Sequence, residues 1–315
     1  MRPRSLLIIR NPRARHAPAE AALRAAAAPL QAHGWVLRVE STRHAGHATE
    51  LAAEAAEAGI EVVAACGGDG TVHEVVQALG GTSTALAVLP AGTANVWARE
   101  AGVPLDVGRA TSLIPSARPA QVDVGVVEGD FGTRRFLLMC GIGLDADVVR
   151  RVGGGSRGKR LLGKVWYGVV GTRAMWGTRG VMSDVAVDAA PSTQPVLQLI
   201  AGNTRLYGGV LPLTSIARMD DGLLDVCLFM GRGRVDTLRL LWRAGVTARG
   251  RLHARTGGGI EYFRGERVVV TPRAPLAVQA DGEYIGETPV TLSVLPRSLT
   301  VLVGTRPNAL LGETA

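Results

Sequence analysis

Gly67-Gly68-Asp69-Gly70-Thr71 stands between the apolar run Val62-Val63-Ala64-Ala65-Cys66 and a segment with apolar residues at Val72, Val75, Val76 and Leu79. The run reads as a buried strand and the segment as a helix. A strand that stops at glycines and restarts as a helix points backbone N–H groups outward at the helix N-terminus. Phosphate oxygens suit such a turn, because the orphan donors and the helix dipole both favour negative charge. Asp69 in its middle repels phosphate alone, so it makes sense beside a metal ion or a sugar hydroxyl. Taken by itself the stretch is also compatible with a plain strand-to-helix turn.

Outward from this turn, strands and helices alternate. Leu6–Ile9 reads as a strand closed by Asn11-Pro12, Pro18–Ala32 as an Ala-rich helix, and Trp35–Val39 as a second strand. Ser41-Thr42 cap a turn into a helix over Ala45–Ala58. A further strand, Ala85–Leu89, runs into Pro90-Ala91-Gly92-Thr93-Ala94-Asn95. Alternation of this kind predicts a parallel sheet with helices on both faces. Ligands of such sheets bind beyond the carboxyl ends of the strands, which is where Asn11, Thr42, the glycine turn and Thr93 fall.

Pro115–Pro119 marks the expected boundary between a nucleotide-binding α/β domain, residues 1–120, and a second domain, residues 121–296. The second part reads as short strands separated by turn residues, as in an antiparallel sandwich: Val122–Val127, Arg135–Met139, Val181–Val187, Val196–Gly202, Leu224–Met230, Val268–Thr271 and Leu276–Gln279. A strand at Leu299–Val303, within 297–306, is compatible with a return to the first sheet.

The 315 residues are 47% apolar and 20% charged, an ordinary globular balance. Lys159 and Lys164 are the only lysines, and no Gly-Lys-Ser/Thr occurs. A Walker loop and a protein-kinase site are therefore excluded. Nucleotide phosphates must be held by amides, hydroxyls and Arg. Cys66, Cys140 and Cys227 sit apart in apolar runs and read as buried small hydrophobes in a reducing compartment. His44 and His47 read as turn residues without further ligands. The N-terminal apolar stretch is too short for a signal peptide, and no run is long enough to cross a membrane. The expected location is cytoplasmic, peripheral at the inner face of the membrane.

The formal net charge is +8. Six Arg and both Lys, with no acid, lie between Val148 and Ser183, interleaved with Trp166, Tyr167, Met175 and Trp176. Arg232–Arg255 carries seven Arg against one Asp. Basic residues beside Trp and Leu suit an anionic membrane surface. Nucleic acid is not expected: aromatic residues are 4% of the chain and no binding motif is present. A homo-oligomer is compatible with the sequence.

Taken together the motifs resemble the bacterial diacylglycerol kinase-like lipid kinases, related to sphingosine kinases and more distantly to NAD kinases. The matching residues are Asn11-Pro12, Thr42 with Gly46-His47-Ala48, Gly67–Thr71 with Glu74, and Pro90–Asn95. They continue with Asp123-Val124-Gly125, Gly141–Ala146, Gly202-Asn203 with Gly208-Gly209, Asp220–Asp225, and Asp281-Gly282-Glu283. The resemblance implies an NAD-kinase-like N-terminal α/β domain, a C-terminal β-sandwich, and an active site in the cleft between them. It implies an enzyme using ATP and Mg2+ to phosphorylate a lipid hydroxyl such as that of diacylglycerol. ATP would lie on Gly67, Gly68, Asp69, Gly70 and Thr71, helped by Asn11, Thr42, Gly92, Thr93 and Asn95. Carried over, magnesium takes the Asp221 carboxylate and the carbonyls of Arg218 and Leu223. Glu283 matches the catalytic base, with Asp281 and Asp123 joining the metal–water network. The chain departs from the family at Arg13-Ala14-Arg15, at Arg218 in place of a Lys, and at Val96 where Asp is common. A kinase of a soluble hydroxyl substrate and a non-catalytic nucleotide- or lipid-binding regulator are the alternatives. Asp221 and Glu283 speak against the second of these.

Overall fold

The computed structural model describes residues 4–153, 179–209, 211–231, 258–304 and 308–312. They form two compact units: one of residues 1–124, 218–221 and 296–315, the other of residues 125–217 and 222–295. The division lies a few residues beyond 120, because β5 (Arg118–Gly129) is one continuous strand with residues in both units. Composition carries no mark of such a point.

The first unit is α/β. Its strands β1 (Ser5–Arg10), β2 (Val36–Ser41), β3 (Val62–Gly67) and β4 (Ala85–Pro90) alternate with helices α1 (Glu20–Ala32), α2 (His47–Glu57) and α3 (Asp69–Leu79). All pair in parallel, in the order β4-β3-β1-β2. β3 and β4 are buried at every position, which is why they read as unbroken apolar runs. β1 lies between β2 and β3, so the chain leaves it towards β2 and returns on its other side. That reversal makes the carboxyl ends of β1 and β3 the switch point of the sheet. Short helices α4 (Val96–Glu100) and α5 (Val107–Leu113) follow β4, and Asp106 caps α5 by accepting the Arg109 N–H. The end of the long strand β15 (Val290–Val303) joins this sheet, with Val301 opposite Leu86 in parallel.

The second unit is a β-sandwich-like domain built from antiparallel pairs. β6 (Gly132–Phe136), β7 (Met139–Gly143), β8 (Val181–Val187), β9 (Ala190–Gly202), β10 (Leu224–Met230) and β11 (Ile260–Gly265) are joined by β12 (Arg267–Pro272), β13 (Ala277–Ala280) and β14 (Glu283–Glu287). Strand β9 is the hub, pairing with β7, β8 and β10. Helix α6 (Leu144–Gly153) follows β7 directly. Phe136, Ile142, Leu199, Leu228 and Val268 belong to one fully buried cluster.

One expected strand is two. Arg135–Met139 divides into the end of β6 and the start of β7. The N–H groups of Leu137, Leu138 and Met139 turn away to a carboxylate, that of Asp281, which ends the ladder. Strands β11 and β14 were not anticipated; β14 is mostly exposed and lacks an apolar run. Most of the two basic segments, 154–178 and 232–257, lies outside the described residues.

Candidate active site

At the switch point of the first unit, the turn after β1 is tied to the turn after β3. The Asn11 N–H donates to the Cys66 carbonyl at 2.9 Å, and Asn11 Nδ2 donates to Thr71 Oγ1 at 3.0 Å. Having accepted that bond, the buried Thr71 hydroxyl keeps its own hydrogen to donate. Helix α3 begins at Asp69 without a side-chain cap, and the Thr71 and Val72 N–H groups of its first turn donate to the Gly68 carbonyl. Asp69 is held by the Trp97 N–H, 3.4 Å from Oδ1.

The turn after β4 packs against the same place. A Cβ on Gly68 would lie 3.2 Å from Gly92 Cα, and one on Gly92 would collide with Gly68 Cα outright. Only glycine permits this contact, which is between two backbones. Asn95 then closes the turn on itself: its Oδ1 accepts the Gly92 N–H at 2.9 Å and its Nδ2 donates to the Gly92 carbonyl at 3.1 Å. Its φ of 47° is one that Asn tolerates better than most residues. Thr93 is exposed beside it. Thr42 continues β2, donating its N–H to the Arg10 carbonyl at 2.8 Å. The Arg10 guanidinium donates to the Pro18 carbonyl and to Ser41 Oγ.

Glu74 does structural work that its motif alone did not reveal. Its carboxylate accepts the Ala48 N–H at 3.1 Å and its carbonyl accepts the Thr49 hydroxyl at 2.8 Å, lashing α2 to α3. His44, His47 and Glu50 come closer together than their reading as isolated turn residues allows, with ligand atoms within 4.8 Å. However, His47 Nδ1 accepts the Arg43 N–H, which puts the neutral ring's proton on Nε2, the nitrogen a cation would need.

Also in the first unit, Asp123 is completely buried on β5. It accepts the Arg297 N–H at 2.7 Å, and its own N–H donates to the Met219 carbonyl at 2.6 Å. The Met219 N–H donates to the Leu310 carbonyl, so segment 218–221 is pinned from both sides. Within it Asp220 pairs with the Arg218 guanidinium at 3.1 Å, while Asp221 follows on the same turn. Asp123 and Asp221 are carboxylates, hard oxygen donors of the type magnesium takes. Leu223 belongs to the second unit, immediately before β10.

In the second unit, Asp281-Gly282 forms a two-residue hairpin turn between β13 and β14, with φ of 49° and 86°. This is the Asp-Gly pattern that positive φ at both positions demands. The Asp281 carboxylate accepts three N–H groups, those of Leu137, Leu138 and Met139, at 2.8 to 3.0 Å. Glu283 is the first residue of β14 and is exposed. Behind the turn lie Asp145 and Gln279, both buried. Asp145 accepts from the Tyr207 hydroxyl and, at 2.7 Å, from Gln279 Nε2. Burial raises the Asp145 carboxyl above its ordinary value, opposed by these two donors. Sequence reasoning gave none of the three a role. The available signal was a Gln at a buried strand position directly before a turn.

Of the basic segment that begins at Arg150, the first residue is not a free surface charge. Its guanidinium is paired with Asp147 and Glu287 and lies 5.7 Å from the Tyr284 ring centroid.

Residues 5–127 match the model of the diacylglycerol kinase catalytic domain. Residues 139–303 match that of the YegS C-terminal NAD kinase beta sandwich-like domain. The chain belongs to the diacylglycerol kinase-like lipid kinase family. A Pseudomonas syringae pv. syringae protein named "Probable lipid kinase YegS-like" is 36% identical over 71% of this chain and 72% of its own length. A Mycobacterium tuberculosis protein named diacylglycerol kinase is 30% identical over 93% of both chains. The crystal structure of a diacylglycerol kinase from Bacillus anthracis shares the fold, with a TM-score of 0.72 and 21% identity over 96% of this chain and 97% of that one. As a member of the family, the chain is a phosphotransferase with an alcohol acceptor. Among the described residues no helix is long and apolar enough to cross a membrane.

Proposed function

We propose that this lipid kinase transfers the γ-phosphoryl group of ATP to the hydroxyl of a diacylglycerol or a related lipid, with Mg2+ required. The observation that carries the reading is the glycine contact between Gly68 and Gly92 beside the Asn11–Thr71 hydrogen bond. It brings the backbones of two turns together at the switch point, with the Thr71 hydroxyl beside them. The near absence of lysine is consistent with it, since amides and hydroxyls then do the holding.

On this reading the first turn of α3 and the Gly92–Asn95 turn bind the triphosphate. Asn11 orients the Thr71 hydroxyl, and Thr42 and Thr93 add polar contacts. Asp221 and the carbonyls of Arg218 and Leu223 would hold magnesium, with Asp123 and Asp69 adding negative charge near it. When bound, the cation neutralises charge at the phosphate oxygens. Glu283 accepts the proton of the attacking lipid hydroxyl, and its exposure is what access to an acceptor requires. Asp281 shapes the turn that presents Glu283 and takes no proton itself. Membrane contact through the Arg150–Arg179 segment rests on its Arg, Lys and Trp content. Within it Arg150 is ion-paired with Asp147 and Glu287.

The test is incubation of the purified protein with labelled ATP, magnesium and a mixed lipid extract, beside Glu283→Gln. Label in a phosphatidate-type lipid, lost by about 10²- to 10⁴-fold in the variant with ATP affinity retained, is the expected result. Label only in water-soluble acceptors would overturn the lipid assignment, and full turnover by Glu283→Gln would remove it as the base.

A further inference from the structure

The turn that presents Glu283 is held by a relay of buried side chains. Gln279 is 2% exposed and Asp145 6% exposed, both in the second unit. Gln279 Oε1 accepts the Gly282 N–H at 2.7 Å, so the side chain closes across its own hairpin turn. Its Nε2 donates to Asp145 Oδ2 at 2.7 Å, and the other Asp145 oxygen accepts the Tyr207 hydroxyl. Space for the approach comes from Gly141, where a Cβ would collide with Asp145 Oδ2 and sit 2.6 Å from Gln279 Nε2.

We propose that Gln279 and Asp145 are positioning residues for Glu283. An amide side chain can present either end, and the choice here is made by Asp145. An ionised carboxylate only accepts, so Nε2 must face it and Oε1 must face the turn. Oε1 then fixes the Gly282 N–H, one residue before Glu283, while the Asp281 carboxylate fixes the other side of the turn through Leu137 to Met139. The direction in which Glu283 leaves the hairpin is therefore set from residue 145, which lies 138 positions earlier in the chain.

This inference rests on the reading of Glu283 as the base. Its test uses the full-length enzyme, with steady-state kinetics against ATP and a diacylglycerol dispersed in detergent micelles. Asp145→Leu removes the acceptor that orients Gln279 and leaves its amide without a fixed direction, so Oε1 is no longer held on the Gly282 N–H. Gln279→Met removes both bonds at nearly constant volume. Each variant is expected to lose about 10- to 100-fold in kcat, the scale of a small misplacement of a reacting group, with KM for ATP and ATP affinity by calorimetry unchanged. The double variant should lose no more than the worse single one, because both act through the same amide. Tyr207→Phe, which deletes only the far hydroxyl, should lose less and provides a mild variant if the others fold poorly. Wild-type kcat in Gln279→Met, additive losses, or a fall in kcat matched by loss of ATP binding would each overturn the proposal. Glu283→Gln is assayed alongside. If that variant is inactive while Gln279→Met is not, only the positioning role falls; if it retains full turnover, the base assignment itself has failed.

Discussion

The turns at Gly68-Asp69-Gly70 and at Asp281-Gly282, each with an aspartate beside glycine, are built in opposite ways. Gly68-Asp69-Gly70 owes its shape to what is missing: glycine against glycine at positions 68 and 92, with two backbones in contact. Asp281-Gly282 owes its shape to what surrounds it: a carboxylate on three amides and a buried amide side chain on a fourth. The first turn is specified by glycine itself, at 68 and at 92 in the turn after the neighbouring strand. The second is specified by partners at positions 137 to 145 and 207, far away in the chain. A turn of the first kind tolerates little change in its own residues. A turn of the second kind can be broken from a distance.

The sharpest way to break this contrast is at Asp281. Asp281→Ala strips the acceptor from three backbone N–H groups and should destabilise the protein by about 3 kcal/mol, read by urea denaturation. A loss under about 1 kcal/mol would mean that water replaces the carboxylate and that the turn is less dependent on its partners than argued.

Gly92→Ala probes the other turn. Neither backbone can yield, so a loss of about 1–3 kcal/mol is expected, together with ATP binding too weak for calorimetry. Normal ATP affinity in a folded variant would show that the Gly68–Gly92 contact does not shape the nucleotide site. A milder cut is Asn11→Ala, which removes one side-chain bond at the switch point. It should cost about 1 kcal/mol of stability and weaken ATP binding without abolishing it.

The smallest effect concerns the thiols. Cys66 is pushed up to about 11 and Cys227 to about 12 by burial, from an ordinary value of 9.0. Because the folded state holds these protons more tightly, their contribution is fully present below about 9. It is lost as the pH rises through the raised values, since the unfolded chain ionises first. Unfolding curves at pH 8 and pH 10.5 should show that decline. The native protein should also leave all three thiols unreactive towards a disulfide reagent at pH 8, until it is denatured.

The same contrast explains what was legible in the sequence. Strands β3 and β4 and the turns after them are written in adjacent letters, as apolar runs ending in glycine. The α/β half could therefore be read almost element by element. Asn11 and Thr93 were marked by their position at strand ends, and Asn95 by the resemblance alone. The break between β6 and β7 was not legible, because its cause is Asp281, more than a hundred residues later. Asp145, though inside the Gly141–Ala146 match, and Gln279, though inside an expected strand, received no role for the same reason: hydrogen bonds between distant residues leave no periodicity. Glu74 stood in a recognised motif, but its task of joining two helices emerged only once α2 and α3 were seen side by side. Basic content likewise did not reveal that Arg150 is already paired.

The return of β15 has a consequence for synthesis. The Ser298 carbonyl accepts the Gly81 N–H at 2.6 Å and Val301 aligns with Leu86, so the open edge of β4 is covered by residues made only after the second unit. While the ribosome is still translating the second unit, the first one carries an exposed strand edge capable of pairing with a neighbouring nascent chain. Its completion waits on residues near 300, and a chain cut short before them would leave that edge bare permanently.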